Sequence, residues 1–140
     1  MTKRSFATLG TLALLAAASA FGQQKIRVNV PFEFHVSAVV LPAGQYEVNV
    51  GASNMQSLVS FDCSECRASA NATTFGIGGG ADALTQGRLV FNKYGETYFL
   101  SQVWSPGYSQ GRAINKSKTE NEIARATPSD KKKQVILAMR

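Results

Sequence analysis

The chain has 140 residues, with 15 Lys and Arg against 9 Asp and Glu, a formal net charge of +6, two cysteines and one histidine. That length suits a single domain able to bury a core of its own. Two cysteines and a lone His35 fall short of the four N or S ligands a structural zinc centre takes, so no metal and no cofactor is expected.

Residues 1–23 read as an export signal. Lys3 and Arg4 supply a positive start, residues 9–18 form a short apolar run, and Ala18-Ser19-Ala20 is the small-residue pattern that signal peptidase accepts. Crossing a bilayer takes roughly 20 apolar residues, so the run fits a cleaved signal better than an anchor. A buried amphipathic helix would alternate polar and apolar faces, and this block does not. No cysteine follows the small residues, so a lipid anchor is not indicated. The expected organisation is a signal peptide over 1–22, cut after Ala20 or Gly22, and one exported β-domain over 23–140, secreted or periplasmic. Nucleic acid is the wrong partner for that compartment. Losing Lys3 and Arg4 also lowers the net charge by two, and much of the remaining excess sits in Lys131-Lys132-Lys133, which reads as a solvated face.

Residues 25–36 carry the clearest periodicity. Ile26, Val28, Val30, Phe32, Phe34 and Val36 alternate with Arg27, Asn29, Pro31, Glu33 and His35, which predicts a strand with one buried and one wet face. Pro31 removes one ladder donor and predicts a sheet edge or a bulge there. His35 shares the wet face, with no acid, base or metal partner in view. Leu41-Pro42-Ala43-Gly44 reads as a turn, Tyr46, Val48 and Val50 as the next strand, residues 51–54 as another turn, and residues 55–61 as a third strand.

Cys63 and Cys66 form Cys-Ser-Glu-Cys. In an exported chain the first reading is a disulfide that staples a turn. Redox catalysis needs the motif to open a helix after a strand, and residues 67–74 lack the large apolar face such a helix would bury. Residues 67–75 are a weaker strand. Residues 76–80 (Gly-Ile-Gly-Gly-Gly) then read as a flexible loop. With Ala81 they match G-x-G-x-x-A, but neither a following helix nor an acid about 20 residues on supports a dinucleotide site.

Residues 88–114 predict a three-stranded meander. A Lys93-Tyr94-Gly95 turn and a type II turn at Ser105-Pro106-Gly107-Tyr108 would join its strands. Strict alternation along residues 96–104 would place Tyr98, Leu100 and Trp104 on one face and Phe99 and Val103 on the other, a central strand covered on both sides. Residues 117–126 read as the one helix, opened by the capping box Ser117-x-x-Glu120 and stopped before Pro128, with a thin apolar face of Ile123, Ala124 and Ala126. Residues 134–139 read as the last strand, with Val135, Leu137 and Met139 toward the core. The expected fold is all-β: a small meander barrel or two-sheet sandwich of about seven or eight strands, with one short helix before the last strand.

Val30-Pro31-Phe32-Glu33-Phe34 followed by Leu41-Pro42-Ala43-Gly44-Gln45-Tyr46 resembles the opening of a group of small signal-peptide-bearing exported bacterial proteins. Leu89-Val90-Phe91-Asn92-Lys93-Tyr94-Gly95 with Tyr98-Phe99-Leu100, and the Ser117-Lys118 helix start, extend the resemblance over most of the chain after the signal. It implies one exported β-domain, and it brings no activity and no catalytic or binding residue with it.

No catalytic residues are expected, since convergent titratable groups are missing from the sequence pattern. Three functional readings stand. The first is a non-catalytic exported domain that binds a small apolar ligand or a partner in the cell envelope. Tyr46, Phe91, Tyr98, Phe99 and Trp104 would then line a pocket, although ordinary core is their simpler role. The second is a structural or adhesive envelope protein that assembles by its sheet edges, with Pro31 marking one edge. The third is a periplasmic thiol–disulfide protein using Cys63 and Cys66.

Overall fold

The computed structural model describes residues 24–52, 55–79 and 86–139. The expected signal peptide lies outside the described residues. Ten strands and one helix follow in chain order: β1 (Gln24–Val30), β2 (Phe34–Val36), β3 (Val39–Leu41), β4 (Gly44–Ala52), β5 (Met55–Cys63), β6 (Ala68–Gly78), β7 (Arg88–Tyr94), β8 (Thr97–Trp104), β9 (Gln110–Ile114), α1 (Lys118–Ala126), a 3₁₀ turn over Ser129–Lys131, and β10 (Lys132–Ala138). The all-β expectation with a helix before the last strand holds.

All ten strands belong to one rolled, barrel-like sheet. Its spatial order runs β1-β4-β5-β6-β9-β8, with β7 and then β10 beyond β8. Every pairing is antiparallel except one parallel bridge, His35 to Phe99, by which β2 joins β8. That bridge lies on β8 away from its pairing with β9, which is confined to Gln102 and Val103. Strand β3 closes a short hairpin with β2 and lies near β6.

The count of ten exceeds the expected seven or eight because Pro31 does more than mark an edge. The period-two pattern is continuous in burial through Val30, Phe34 and Val36, but the strand stops at Val30. A proline that cannot donate frees the chain to leave β4 and re-enter the sheet as β2 beside β8. The β2–β3 hairpin turns at Ser37, whose φ is +55°. Leu41, expected to open a turn, instead ends β3 and pairs with Phe34.

The concave side holds one core. Ile26, Val28 and Val30 of β1, Tyr46 and Val48 of β4, Val59 and Phe61 of β5, Ala70 and Ala72 of β6, Leu89 and Phe91 of β7, and Met139 after β10 all contribute. Phe34 is the hub: its ring meets Tyr46, Phe61 and Phe91 edge to face at centroid distances of 5.3, 6.1 and 5.5 Å. Such T-shaped contacts set the positive edge of one ring against the negative face of the next.

Strict alternation fails on β8. Val90 pairs with Gln102 but Phe91 pairs with Leu100, so Ser101 is an extra, bulged residue. The bulge reverses the parity beyond it. Tyr98, Leu100 and Val103 therefore belong to the core side, whereas Phe99 and Trp104 share the convex side. This corrects the faces expected for Val103 and Trp104.

The convex side divides into two halves. Over β1, β4 and β5 it is polar, with Lys25 paired to Glu47 at 3.1 Å. Over β7 to β9 it is apolar, with Val90, Trp104 and Ile77 in contact. Gly76 and Gly78 are not loop residues. They lie within β6 opposite Arg112 and Gln110, which corrects the glycine-loop expectation. The glycines that matter sterically are Gly79 and Gly111. A Cβ there would fall 2.3 and 2.6 Å from Trp104 ring atoms, so bare backbone makes the slot that the indole occupies. The Arg88 guanidinium covers the ring at 4.8 Å, and the indole N–H donates to Gln102 Oε1 at 2.9 Å.

The β7–β8 turn is one residue shorter than expected. Tyr94 pairs with Thr97, leaving Gly95-Glu96 as a two-residue loop with Gly95 at φ +62°. Glycine first in a two-residue hairpin loop suits the type II′ turn, whose twist matches that of the strands. The type II turn is as expected: Gly107 has φ +81°, and Tyr108 N–H donates to Ser105 O at 3.3 Å.

Candidate functional site

Cys63 and Cys66 form a disulfide across the β5–β6 hairpin, with Cα atoms 5.4 Å apart. Cys63 is the last residue of β5, pairs with Ala68, and is 1% exposed. Arg67, at φ +51°, completes the reversal. The staple packs inward against Gly44, whose missing Cβ would lie 3.4 Å from both sulfurs, and beside the Tyr46 hydroxyl, 3.8 Å from Cys66 Sγ. That hydroxyl donates to the Pro42 carbonyl. Burial pushes the Tyr46 phenol up from its ordinary pKa. The motif joins two antiparallel strands and opens no helix, so the helix N-terminus that would stabilise a nucleophilic thiolate is not beside it.

The aromatic candidates do not gather around a space. Tyr46 and Phe91 are in the core, Tyr98 stacks on Phe32 at 3.8 Å, and Trp104 fills its glycine slot. Phe99 lies on the convex side, where His35 stacks on it at 4.3 Å. Their first reading as structural residues is how the fold uses them.

Sequence reading places Glu120 in the capping box and misses where its side chain goes. Ser117 caps α1 as expected, its Oγ accepting from the Glu120 N–H at 3.1 Å. The Glu120 side chain, however, turns into the protein and is 4% exposed. Its Oε1 accepts from Asn92 Nδ2 and from the Tyr94 hydroxyl, both at 3.0 Å. The helix thus docks on β7 through a carboxylate, while Ile123 and Ala124 are only half-buried. Burial first, then the adjacent Glu120 charge and hydrogen bond, push the Tyr94 phenol up to about 12. The available signal was that Asn92 and Tyr94 alternate with the core residues of β7, so two polar tips share one face.

Two grooves flank these features. One of about 270 Å³ is lined by Asn92, Tyr94, Lys116, Ala124, Lys132 and Gln134, between α1, β7 and β10. A smaller one of about 150 Å³ lies beside the disulfide and is lined by Arg27, Gln45, Glu47, Asp62, Ser64 and Glu65. The smaller groove also reaches the ring of the core residue Tyr46. Among the described residues no three His, Cys, Asp or Glu side chains gather as a metal site, and no helix is long and apolar enough to cross a membrane.

The expected charge run is solvated: Lys131, Lys132 and Lys133 are all exposed, at the start of an edge strand. No family model, no curated protein and no solved structure matches the chain.

Proposed function

We propose that the chain is an exported, non-catalytic β-domain that works by binding a partner in the cell envelope through its outer surface. The observation that carries the reading is the filled interior. Phe34, Tyr46, Phe61, Phe91, Leu41 and Leu89 are all buried against one another, so among the described residues large side chains take the place where a hollow barrel of similar strand number holds a small apolar ligand. Export is supported by the pattern of residues 1–23, and a surface role by apolar side chains left in solvent, among them Ile136 and Phe75.

The test has two arms. Titration of the purified protein with an environment-sensitive apolar dye is expected to give no saturable one-to-one binding. A photo-cross-linking residue at position 136 or 75 in living cells is expected to yield higher-mass adducts, and one at exposed position 122 on α1 is not. Saturable one-to-one dye binding with Trp104 emission unchanged would return the function to an interior ligand and refute the surface reading.

A further inference from the structure

Strand β10 is an edge that the fold leaves unfinished. Among the described residues it pairs with β7 alone. Two hydrogen bonds at the ends of this pairing fix its phase: Met139 N–H donates to Gly87 O at 2.9 Å, and Gly95 N–H donates to Lys131 O at 3.1 Å. In an antiparallel ladder alternate residues exchange bonds with the same neighbour. The odd-numbered residues of β10 therefore bond to β7, and Lys132, Gln134, Ile136 and Ala138 turn their backbone N–H and C=O groups to the open side.

Side chains along this edge are apolar on both faces at its centre. Val135 and Leu137 point to the core but stay half-buried, because among the described residues no strand pairs beyond them. Ile136, on the opposite face, is 62% exposed. The other terminal strand differs. Core-facing Ile26, Val28 and Val30 of β1 are fully buried, and its outward residues include Lys25 and Arg27. Charged side chains of that kind are a usual protection of an edge.

We propose that a second copy of this chain adds at β10, antiparallel across a two-fold axis, so that one sheet continues through both molecules. This rests on the reading of a domain that acts through its surface, and it names the partner. The placement of charge selects this occupant. Pairing about Val135 sets Gln134 opposite Ile136, Lys132 opposite Ala138 and Lys133 opposite Leu137 of the second copy. No lysine then faces a lysine, and the apolar centres of both strands meet. Head-to-tail pairing of β10 with β1 would instead set exposed Ile136 among Lys25, Arg27 and Asn29, the polar outward row of that strand. The isologous pair also closes on itself, where β1–β10 pairing would propagate.

The test uses the chain purified from cells that export it. Sedimentation equilibrium is expected to show the mass rising to twice that of one chain as concentration increases. Amide hydrogen exchange supplies a reading that needs no variant. Amides of Lys132, Gln134, Ile136 and Ala138 should exchange fast in dilute protein and slow at high concentration, while those of Val135 and Leu137 stay protected throughout. Ile136→Pro removes an edge donor without touching the β7 ladder, and Ile136→Lys adds charge near the two-fold axis. Both are expected to stay monomeric with an unchanged Trp104 emission. Should the proline variant fail to fold, the lysine variant and the exchange pattern still decide. A single-chain mass at every concentration overturns the second copy, whether the even-numbered amides exchange freely or are protected by some other strand. That result leaves the surface reading to its dye and cross-linking test.

Discussion

Glu120 is where one substitution separates two accounts of how α1 is held. Its Oε1 satisfies both the Asn92 amide and the Tyr94 hydroxyl, at 3.0 Å each. Glu120→Gln keeps an oxygen acceptor of the same reach and removes the charge, so it is expected to cost about 1 kcal/mol or less. Glu120→Ala leaves the two donors behind the helix without their acceptor. An unsatisfied buried polar group costs about 1–3 kcal/mol, and solvent entry beside half-buried Asn92 relieves part of that for one of the two. The expected loss is thus about 2–4 kcal/mol. Urea unfolding monitored by circular dichroism would read it as a lower midpoint at constant slope. Tyr94→Phe supplies the cycle: if the two groups act together, Glu120→Ala costs less in the Tyr94→Phe background than in the natural one. Loss of under about 1 kcal/mol in Glu120→Ala would refute the reasoning, because the helix would then be held by its few apolar contacts.

Three other outcomes are expected. Gly111→Ala puts a methyl 2.6 Å from the Trp104 indole, so overpacking should cost about 1–3 kcal/mol and shift the Trp104 emission. Cys63→Ala with Cys66→Ala reopens a loop of only a few residues, for which chain entropy gives about 2 kcal/mol; the far-ultraviolet spectrum should keep its β signature while the melting temperature falls. The Tyr94 phenol is raised in the folded state to about 12 from an unfolded value near 10. Its contribution is therefore complete below about pH 10 and is lost as pH rises through 12, by about 3 kcal/mol at most. Tyr94→Phe should flatten that part of the alkaline stability profile, with the phenolate absorbance reporting the titration directly.

Local chemistry was sufficient for much of the fold. Alternation named the core side of β1, β4 and β10, since a strand with one wet face must place apolar residues at every second position. Ser117 and Pro128 bounded the helix because capping and proline exclusion act within one turn. Cys63 and Cys66, three residues apart in a turn, needed only proximity to pair. Pro31 was visible as an interruption, but nothing nearby in sequence says that the chain crosses there to meet β8, since His35 and Phe99 are brought together only by the rolled sheet.

Long-range packing decided the rest. The Ser101 bulge depends on what each face of β8 must cover, and it alone moves Val103 into the core and Trp104 out of it. Gly79 looks like a flexible loop residue, and Gly111 like any residue of the meander, until the indole between them is seen. A glycine is permissive in isolation and becomes a steric requirement only beside a neighbour. Glu120 reads as a surface capping residue until α1 lies on Asn92 and Tyr94. The sequence by itself determined which residues alternate, cap and turn, because those are interactions between near neighbours. Only the tertiary structure decided that large side chains pack the core of the described residues and that β10 is left open there, because both depend on which strands meet across the sheet.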